Sequence, residues 1–543
     1  MILTLEHFLN LIDKLPKGIN FDYVKSGKNK IRLDYVNHVE KSIEATKIDT
    51  ENGNTKSANI TTENLKTFVD KVIENRPLHI ESVWNGSGSA RSAWEGLFAH
   101  TSEFYVYFSD GRKHLVWIPS HPHENGKITT LTKDLISTLI SPIDLCLKQI
   151  NYKYHPYVTA IKSKPFLLLA GISGTGKSRI VRELARACWD KDSDEFNAQK
   201  PINYEMIQVK PNWHDSSELI GYISRISGQP VFIAGDFLKF IVKAWEYPEI
   251  PYFLCLDEMN LAPVEQYFAE YLSVIETRKK NKDGKIVTDA LIKPEYKNER
   301  DENTKELKPA QWYENLVNTL LAGCSDTNIW ALRKQFLSEG ISIPQNLIVV
   351  GTVNMDETTF SFSRKVLDRA MTIEMNEVDL YSGLTEQHEQ IGKLGKEELI
   401  GTAVEGVDVY EGYKDVCEKA LAYLQAVNNA LDTSFKIAYR TRNDFLLYVV
   451  NNLPYNKDEQ GNDLSEDFVI ARALDEITSM KILSRIEGDN TKVTDSFLDN
   501  LKTTIEEGLK SVYEDFKTED SVSLLKLKEM KQKLVSGYTS FWS

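Results

Sequence analysis

The chain has 543 residues, and at about 150 residues per domain that length predicts three or four domains. Hydrophobic residues at 41% and charged residues at 27% are close to the globular average, which excludes a disordered or fibrous chain. The formal net charge of −14 excludes a protein that coats nucleic acid over its whole surface, so any nucleic-acid contact has to be local.

Residues 1–150 predict a small, separate α+β recognition domain. The first residues predict an amphipathic helix, and aromatic and β-branched side chains alternate on both sides of Asp110-Gly111, which predicts a hairpin over 103–119. The polar stretch 47–64 predicts a loop or a linker inside this domain. Helical spacing of apolar residues over 131–147 predicts a helix that connects this domain to the next one.

The amino-terminal domain is rich in aromatic side chains, including Trp84, Trp94 and Trp117. A core role is favoured, because Tyr105 and Tyr107 alternate with Val106 and Phe108 as a strand requires. A pocket for a flipped base is the alternative. The basic stretch 25–32 suits a phosphate backbone, although such a stretch is more often a solvated loop.

From about residue 160 the pattern changes to short apolar runs that are followed by helical spacing. Such runs are typical of parallel strands that helices cover on both faces. They lie at 164–170, 251–256 and 346–350. The pattern predicts an α/β domain over 151–380, with a charged insertion at about 279–340, and then helices over 381–543.

Residues 171–178 predict a phosphate-binding loop, because Gly-Ile-Ser-Gly-Thr-Gly-Lys-Ser lies directly between an apolar run and a helix-like segment. The glycines let backbone N–H groups curl around phosphates. Lys177 can reach the outer phosphate oxygens, and the Ser178 hydroxyl can bind Mg²⁺. The predicted nucleotide-binding residues are Gly171, Ser173, Gly174, Thr175, Gly176, Lys177 and Ser178.

Two further apolar runs end in polar side chains, Asp257 with Glu258 and, later, Asn354. Because the carboxyl ends of parallel strands open on one edge of a sheet, these side chains are expected beside the phosphate loop. Asp257 is predicted to bind Mg²⁺, Glu258 to polarise the attacking water and Asn354 to face the terminal phosphate. The alternative for Asn354 is a cap of the next helix.

The motifs resemble those of AAA+ NTPases and, within that superfamily, those of the McrB type, the motor subunit of modification-dependent restriction systems. The likeness covers about 160–490 and extends to Val209-Lys-Pro-Asn-Trp213, Leu256-Asp-Glu-Met-Asn-Leu-Ala262, Gly351-Thr-Val-Asn-Met-Asp-Glu-Thr-Thr359, Leu367-Asp-Arg369 and Ala438-Tyr-Arg440. It implies an AAA+ parallel sheet with flanking helices and a helical lid subdomain. It also implies a Walker A loop at 171–178, Walker B carboxylates at Asp257 and Glu258, sensor 1 at Asn354, an arginine finger at Arg369 and a nucleotide-binding sensor 2 at Arg440.

The arginine finger is expected to act on a neighbouring subunit. Arg364 and Arg369 are predicted to share one short helix over 363–369. A solvated basic face is the plain interpretation, whereas the resemblance implies a finger that reaches a neighbour's nucleotide in a homo-oligomeric, hexameric ring.

The nucleotide itself stays open between ATP and GTP, each with Mg²⁺. McrB proteins carry Met-Asn-x-x-Asp-Arg around sensor 1 and use GTP, whereas this chain has Thr358 at the position of the arginine. AAA+ proteins at large use ATP, so ATP is favoured and GTP is the second choice.

The resemblance implies a cytoplasmic motor of a restriction or antiphage system that works with a separate McrC-like nuclease and contacts DNA through 1–150. A nuclease centre of its own is not favoured, because Asp301, Glu306 and Lys308 lie in a turn-rich, charged stretch. The alternatives are a MoxR-like or dynein-related ATPase that remodels protein complexes, and a nucleotide-binding scaffold without turnover. No apolar run reaches the ~20 residues that span a bilayer, so no membrane partner is expected.

Overall fold

The computed structural model describes residues 5–24, 29–74, 78–79, 88–109, 112–118, 122–131, 150–226, 228–282, 284–300, 307–324, 329–355, 360–376, 380 and 388–542. The chain divides into two compact units, Met1–Gln149 and Ile150–Ser543, called here the first and the second unit. Among the described residues, no helix is both long enough and apolar enough to cross a membrane.

The described residues of the first unit combine helices with two four-stranded sheets. The strands of one sheet are antiparallel and lie in the order β1 (Asn20–Asp22), β2 (Asn29–Asn37), β3 (Ser42–Asp49) and β4 (Thr55–Ser57). Those of the other sheet lie in the order β5 (Leu78–His79), β7 (Arg112–Trp117), β6 (Phe104–Ser109) and β8 (Thr130–Leu131). The helices are Leu5–Asp13, Thr62–Glu74 and Gly88–Ala99.

Aromatic side chains form much of the core of the first unit. Trp117 is only 1% exposed, so it belongs to the core as the strand alternation predicts. Trp94 packs against the edge of that core, and its indole N–H donates to the Ala58 carbonyl at 2.9 Å. Trp84 lies outside the described residues. The rings at the centre belong to Phe8, Phe68, Phe98 and Phe104.

The predicted hairpin over 103–119 is confirmed, because β6 and β7 pair antiparallel along their whole lengths. Its turn at Asp110-Gly111 lies outside the described residues. The predicted helix over 131–147 is wrong at its start, since Leu131 pairs with β6 as part of β8. Residues 132–149 lie outside the part of the chain that the structure describes.

The loop predicted over 47–64 is wrong, because this stretch contains the end of β3 and all of β4. A short turn joins the two strands. The Asp49 carboxylate accepts the N–H groups of Glu51 and Asn52, and Gly53 has a φ of +68°. Polar side chains in a surface hairpin resemble a loop in composition, so the polarity alone was misleading.

The second unit is built on a parallel sheet of five strands, as the apolar runs predict. In spatial order the strands are β10 (Tyr204–Gln208), β13 (Tyr252–Asp257), β20 (Leu347–Asn354), β9 (Phe166–Gly171) and β21 (Met371–Glu374). Every residue of β9 is buried, because side chains of alternating residues pack into separate cores on the two faces of the sheet.

The second unit also contains short antiparallel pairs of strands. They are β11 (Gly221–Ser224) with β12 (Val231–Ala234), β14 (Lys279–Lys280) with β15 (Ile286–Val287), β16 (Ala290–Ile292) with β19 (Ile341–Ser342), β17 (Tyr296–Arg300) with β18 (Leu307–Pro309), and β22 (Glu487–Asp489) with β23 (Tyr538–Ser540). The charged segment 279–340 therefore has regular structure in its described residues.

Helices make up most of the rest of the second unit, and they dominate its described residues after 388. They are His155–Ser163, Lys177–Arg186, Asp194–Asn197, Asp236–Glu246, Val264–Tyr267, Ala269–Ile275, Gln311–Leu321, Ile329–Glu339, Arg364–Leu367, Lys396–Leu399, Val407–Tyr410, Lys414–Ala430, Tyr439–Asn452, Glu466–Lys481, Asp495–Val512 and Val522–Leu534.

Candidate functional site

The predicted phosphate loop joins the end of β9 to the start of the helix Lys177–Arg186. Gly174 and Gly176 have φ angles of +87° and +83°, in the left-handed region that favours glycine. Residues in this conformation help to form concave sets of backbone N–H groups, which bind anions. Ser173 and Gly174 lie on the exposed side of the loop. The loop therefore has the backbone conformation that a phosphate-binding role requires.

Hydrogen bonds to the carbonyl oxygens of Gly171 and Ile172 fix the start of the phosphate loop. The buried Lys177 ammonium donates to the carbonyl oxygens of Gly171 at 2.9 Å and Ile172 at 2.6 Å. The Thr175 hydroxyl donates to the Ile172 carbonyl at 3.1 Å. A Cβ atom on Gly171 would lie 2.6 Å from the Met375 carbonyl oxygen, so the close approach of these two backbone segments requires glycine here.

Asp257, the last residue of β13, is joined to the phosphate loop by a hydrogen bond. The Ser178 hydroxyl donates to Asp257 Oδ1 at 2.5 Å, and the Thr352 hydroxyl donates to the same oxygen at 2.9 Å. Thr352 Oγ1 also accepts the backbone N–H of Glu258 at 2.9 Å. The structure thus brings the predicted Ser178 and Asp257 together, and it adds Thr352, which lies on the intervening strand β20.

Glu258 is held in an unusual backbone conformation. Its φ and ψ are 53° and 51°, and it is one of two non-glycine residues with positive φ among those the structure describes. A non-glycine residue in this region costs on the order of 1–2 kcal/mol. The Glu258 carboxylate accepts a hydrogen bond from Asn354 Nδ2 at 3.1 Å. Asn354 therefore orients Glu258. The alternative role of Asn354, a cap of the next helix, is not among the contacts that the structure describes for it.

The oxygen ligands at this end of the sheet fit Mg²⁺. Mg²⁺ prefers hard oxygen ligands and usually keeps several waters, together with one or two carboxylates and substrate phosphates. The Ser178 hydroxyl and the Asp257 carboxylate, which already share a hydrogen bond, are such ligands. Among the described residues no group of three or more His, Cys, Asp or Glu side chains could hold a metal ion.

Substitution of Thr352 tests the hydrogen bonds that fix Glu258. Thr352→Val keeps the shape of the side chain but leaves the Glu258 N–H without its acceptor, so we expect the free energy of unfolding to fall by about 1–3 kcal/mol. Urea unfolding measures this. Thr372→Val is the matched control, because Thr372 is a buried threonine of the same sheet whose hydroxyl has no hydrogen-bond partner among the described residues. Equal losses in the two variants would contradict the assignment.

Arg369 lies beyond the end of the helix Arg364–Leu367, so the prediction that it shares this helix with Arg364 is wrong. Both Arg369 N–H and Ala370 N–H donate to the Val366 carbonyl, at 2.9 Å and 3.1 Å. The chain makes this tight turn because it enters β21 at Met371.

Arg369 lies at the opposite end of the sheet from its own phosphate loop. Met371 is level with Leu167 near the start of β9, which places Arg369 at that end, called here the amino end. The loop begins at Gly171, the last residue of β9. Five residue steps at about 3.3 Å separate the two ends of β9 by about 17 Å, which is longer than an arginine side chain.

Arg440 was predicted to bind the nucleotide together with the phosphate loop, but the structure places it near Arg369 instead. It lies one turn before Asp444 in the helix Tyr439–Asn452. The Asp444 carboxylate lies 2.7 Å from Nζ of Lys164, which precedes β9 at the amino end. Helical periodicity puts Arg440 and Asp444 on one face, so both belong to the amino end of the sheet.

A buried charge cluster fixes the chain segment that carries Arg369. The fully buried Lys481 ammonium donates to the carbonyl oxygens of Leu367, Asp368 and Ala370 at 2.9, 3.1 and 2.8 Å. It also lies 3.0 Å from the Asp444 carboxylate.

Lys164 shares the Asp444 carboxylate with Lys481. Burial lowers the pKa of Lys164 to about 7, while the Asp444 charge opposes this change. The pKa of Asp444 is lowered, because the two ammonium groups outweigh the effect of burial. The carboxylate therefore stays charged between them. The sequence pattern did not predict this cluster, although a lysine and an aspartate at buried helix positions are a recognisable signal.

One domain family and one known protein are similar to parts of this chain. A domain family of unknown function, DUF8727, matches residues 399–537, which contain the helices from Val407–Tyr410 to Val522–Leu534. The Type II restriction enzyme NmeDI of Neisseria meningitidis serogroup C is 29% identical over 148 residues. The aligned part covers 25% of this chain and 40% of that enzyme, so the chain spans less than half the length of this relative.

Proposed function

We propose that the second unit binds a nucleoside triphosphate with Mg²⁺ and hydrolyses it. The observation that carries this proposal is the hydrogen bond between the Ser178 hydroxyl and the Asp257 carboxylate, which links the phosphate loop to the acidic strand end. Glu258 and Asn354 are hydrogen-bonded to each other at the same end of the sheet. Four residues with complementary roles in phosphoryl transfer thus converge on one loop.

In the proposed mechanism, Lys177 and the backbone N–H groups of the loop bind the phosphates. Ser178 and Asp257 would hold Mg²⁺, which would offset negative charge on the phosphate oxygens. Glu258 orients the attacking water and accepts its proton. Asn354 keeps the Glu258 carboxylate directed by donating a hydrogen bond to it.

An AAA+ architecture of the McrB type is part of the proposal. The parallel sheet, the glycine-rich loop at the end of β9 and the helices after 388 support it. ATP is the favoured nucleotide and GTP the second choice. The distance of Arg369 from its own loop supports a ring, proposed to be hexameric, in which this arginine reaches the nucleotide of a neighbouring subunit.

We further propose that the protein drives a restriction or antiphage system in the cytoplasm, with a separate McrC-like nuclease as its partner. The similarity to NmeDI, whose name describes a restriction enzyme, supports a link to restriction although it covers a quarter of the chain. The first unit is the proposed DNA-contacting part.

DNA-dependent hydrolysis tests this proposal. We expect phosphate release by the full chain to rise when DNA is added, whereas a shortened chain that begins near Asn151 should keep the basal rate and lose the response. Added salt should reduce the DNA effect, because phosphate contacts release counterions. Hydrolysis that responds to a protein and not to modified or unmodified DNA would favour the remodelling ATPase instead.

A further inference from the structure

Glu276 contacts both arginines at the amino end of the sheet. One oxygen of its carboxylate accepts a hydrogen bond from Arg369 Nη2, and the other accepts one from Arg440 Nη2. Glu276 directly follows the helix Ala269–Ile275, and its side chain is 34% exposed. A single, partly exposed carboxylate therefore holds two guanidinium groups side by side.

The amino end of the sheet carries an excess of positive charge, although the whole chain is acidic. The charged side chains here include those of Lys164, Arg278, Arg364, Arg369, Arg440, Lys481 and Arg485, with the carboxylates of Glu276, Asp368 and Asp444. Of these, the partly exposed guanidinium group of Arg440 can attract an anion, whereas Lys481 is fully buried.

The two ends of the sheet fit the geometry of a closed ring. In a ring of identical subunits each interface joins two different surfaces, so the amino end of one subunit can face the phosphate loop of the next. Both arginines would then approach the same terminal phosphate. Guanidinium groups bind phosphate oxygens in a planar, two-point manner, which lets them exchange a carboxylate for a phosphate.

We propose that Glu276 is a positioning residue that holds Arg369 and Arg440 as a pair, and that Arg440 acts with Arg369 on the nucleotide of a neighbouring subunit. This inference rests on the proposed nucleotide hydrolysis. Two guanidinium groups repel each other at short range, and the shared carboxylate offsets that repulsion. It keeps the pair together until phosphate oxygens replace it.

Subunit mixing tests the role of Arg440. Arg440→Ala should lower turnover by about 10²-fold or more, as the loss of a charge-stabilising donor does. Mixing Arg440→Ala with Lys177→Ala subunits should restore activity, because some interfaces then pair an intact loop with two intact arginines. Mixing Arg440→Ala with Arg369→Ala should restore none, because each subunit lacks one arginine of the pair.

Substitution of Glu276 tests its positioning role in the same assay. Glu276→Gln keeps the shape of the side chain but not its charge, so we expect kcat to fall about tenfold with KM nearly unchanged. Addition of Lys177→Ala subunits should restore the activity of Glu276→Gln subunits, which also shows that the latter fold and assemble. Addition of Arg369→Ala subunits should not restore it. Glu270→Gln, an exposed carboxylate in the neighbouring helix, is the matched control and should keep the wild-type rate.

The opposite mixing pattern would overturn the inference: rescue of Arg440→Ala by Arg369→Ala but not by Lys177→Ala would place Arg440 at its own subunit's nucleotide. Wild-type kcat in Glu276→Gln or Arg440→Ala would overturn it as well. The mixture of Arg369→Ala with Lys177→Ala subunits is the reference, because its recovery of activity depends only on the proposed function. If this mixture regains activity and the mixture of Arg440→Ala with Lys177→Ala does not, this inference alone is rejected. A wild-type protein that does not hydrolyse nucleotide rejects the proposed function.

Discussion

Glu258→Gln should retain nucleotide and Mg²⁺ binding while turnover falls by roughly 10²-fold or more. The substitution keeps the size of the side chain and removes only the group that accepts the proton of the attacking water, and general bases contribute about 10²–10⁴-fold. Asn354 donates to the carboxylate at 3.1 Å, so its contact can persist with the amide oxygen of glutamine. Nucleotide titration and phosphate release, measured on one preparation, give both quantities.

Glu265→Gln is a suitable control, because Glu265 is an exposed carboxylate seven residues further along the chain. It should match the wild type in binding and in turnover. If Glu258→Gln hydrolyses nucleotide at the wild-type rate, Glu258 does not position the water. The strained backbone at Glu258 would then need another explanation.

Asp444→Asn should destabilise the second unit by about 3–5 kcal/mol. Its carboxylate lies between the ammonium groups of the largely buried Lys164 and the fully buried Lys481, at 2.7 and 3.0 Å. Removal of one partner from a buried ion cluster leaves uncompensated charge in a poorly solvating environment. Because Lys481 also holds the carbonyl oxygens beside Arg369, its displacement should loosen that segment. Urea unfolding monitored by circular dichroism measures the loss.

Asp467→Asn is the control for burial, because it removes the same charge from an exposed ion pair. Asp467 pairs with Lys419, and both side chains are nearly half exposed, so this variant should lose less than about 1 kcal/mol. A loss of similar size for Asp444→Asn would contradict the view that the cluster stabilises the unit through buried charges.

Local patterns predict much of the fold and of the proposed phosphate site. The apolar runs that became β9, β13 and β20 could be recognised because strands buried on both faces contain few polar residues. Glycine at positions 174 and 176 permits the positive φ angles that the loop adopts there. Asp257, Glu258 and Asn354 follow from the rule that the ends of parallel strands share one edge.

The residues that the sequence did not indicate act through contacts between distant parts of the chain. Lys164 and Asp444 are 280 positions apart, and no periodicity relates them. Glu276 joins Arg369 to Arg440 in the same way. Pattern reasoning identified both arginines by their neighbours in the sequence, yet only the tertiary structure shows that they lie together, away from their own phosphate loop.

The polar segments were the other source of error. The stretch 47–64 contains the end of β3 and all of β4, because a surface hairpin tolerates Asn, Thr and Lys as well as a loop does. Arg369 fell outside its predicted helix because the chain must turn into β21 two residues later. In both cases tertiary pairing outweighed the local preference.

Binding of Mg²⁺-ATP and Mg²⁺-GTP, measured together with phosphate release in wild-type and Lys177→Ala protein, tests the central claim most directly. We expect the wild type to bind and hydrolyse at least one of the two nucleotides only with Mg²⁺. Lys177→Ala should bind it more weakly and lose turnover, because its ammonium contacts the phosphates before and during the reaction. A folded wild type that binds neither nucleotide, or a Lys177→Ala protein with unchanged affinity and rate, would contradict the account.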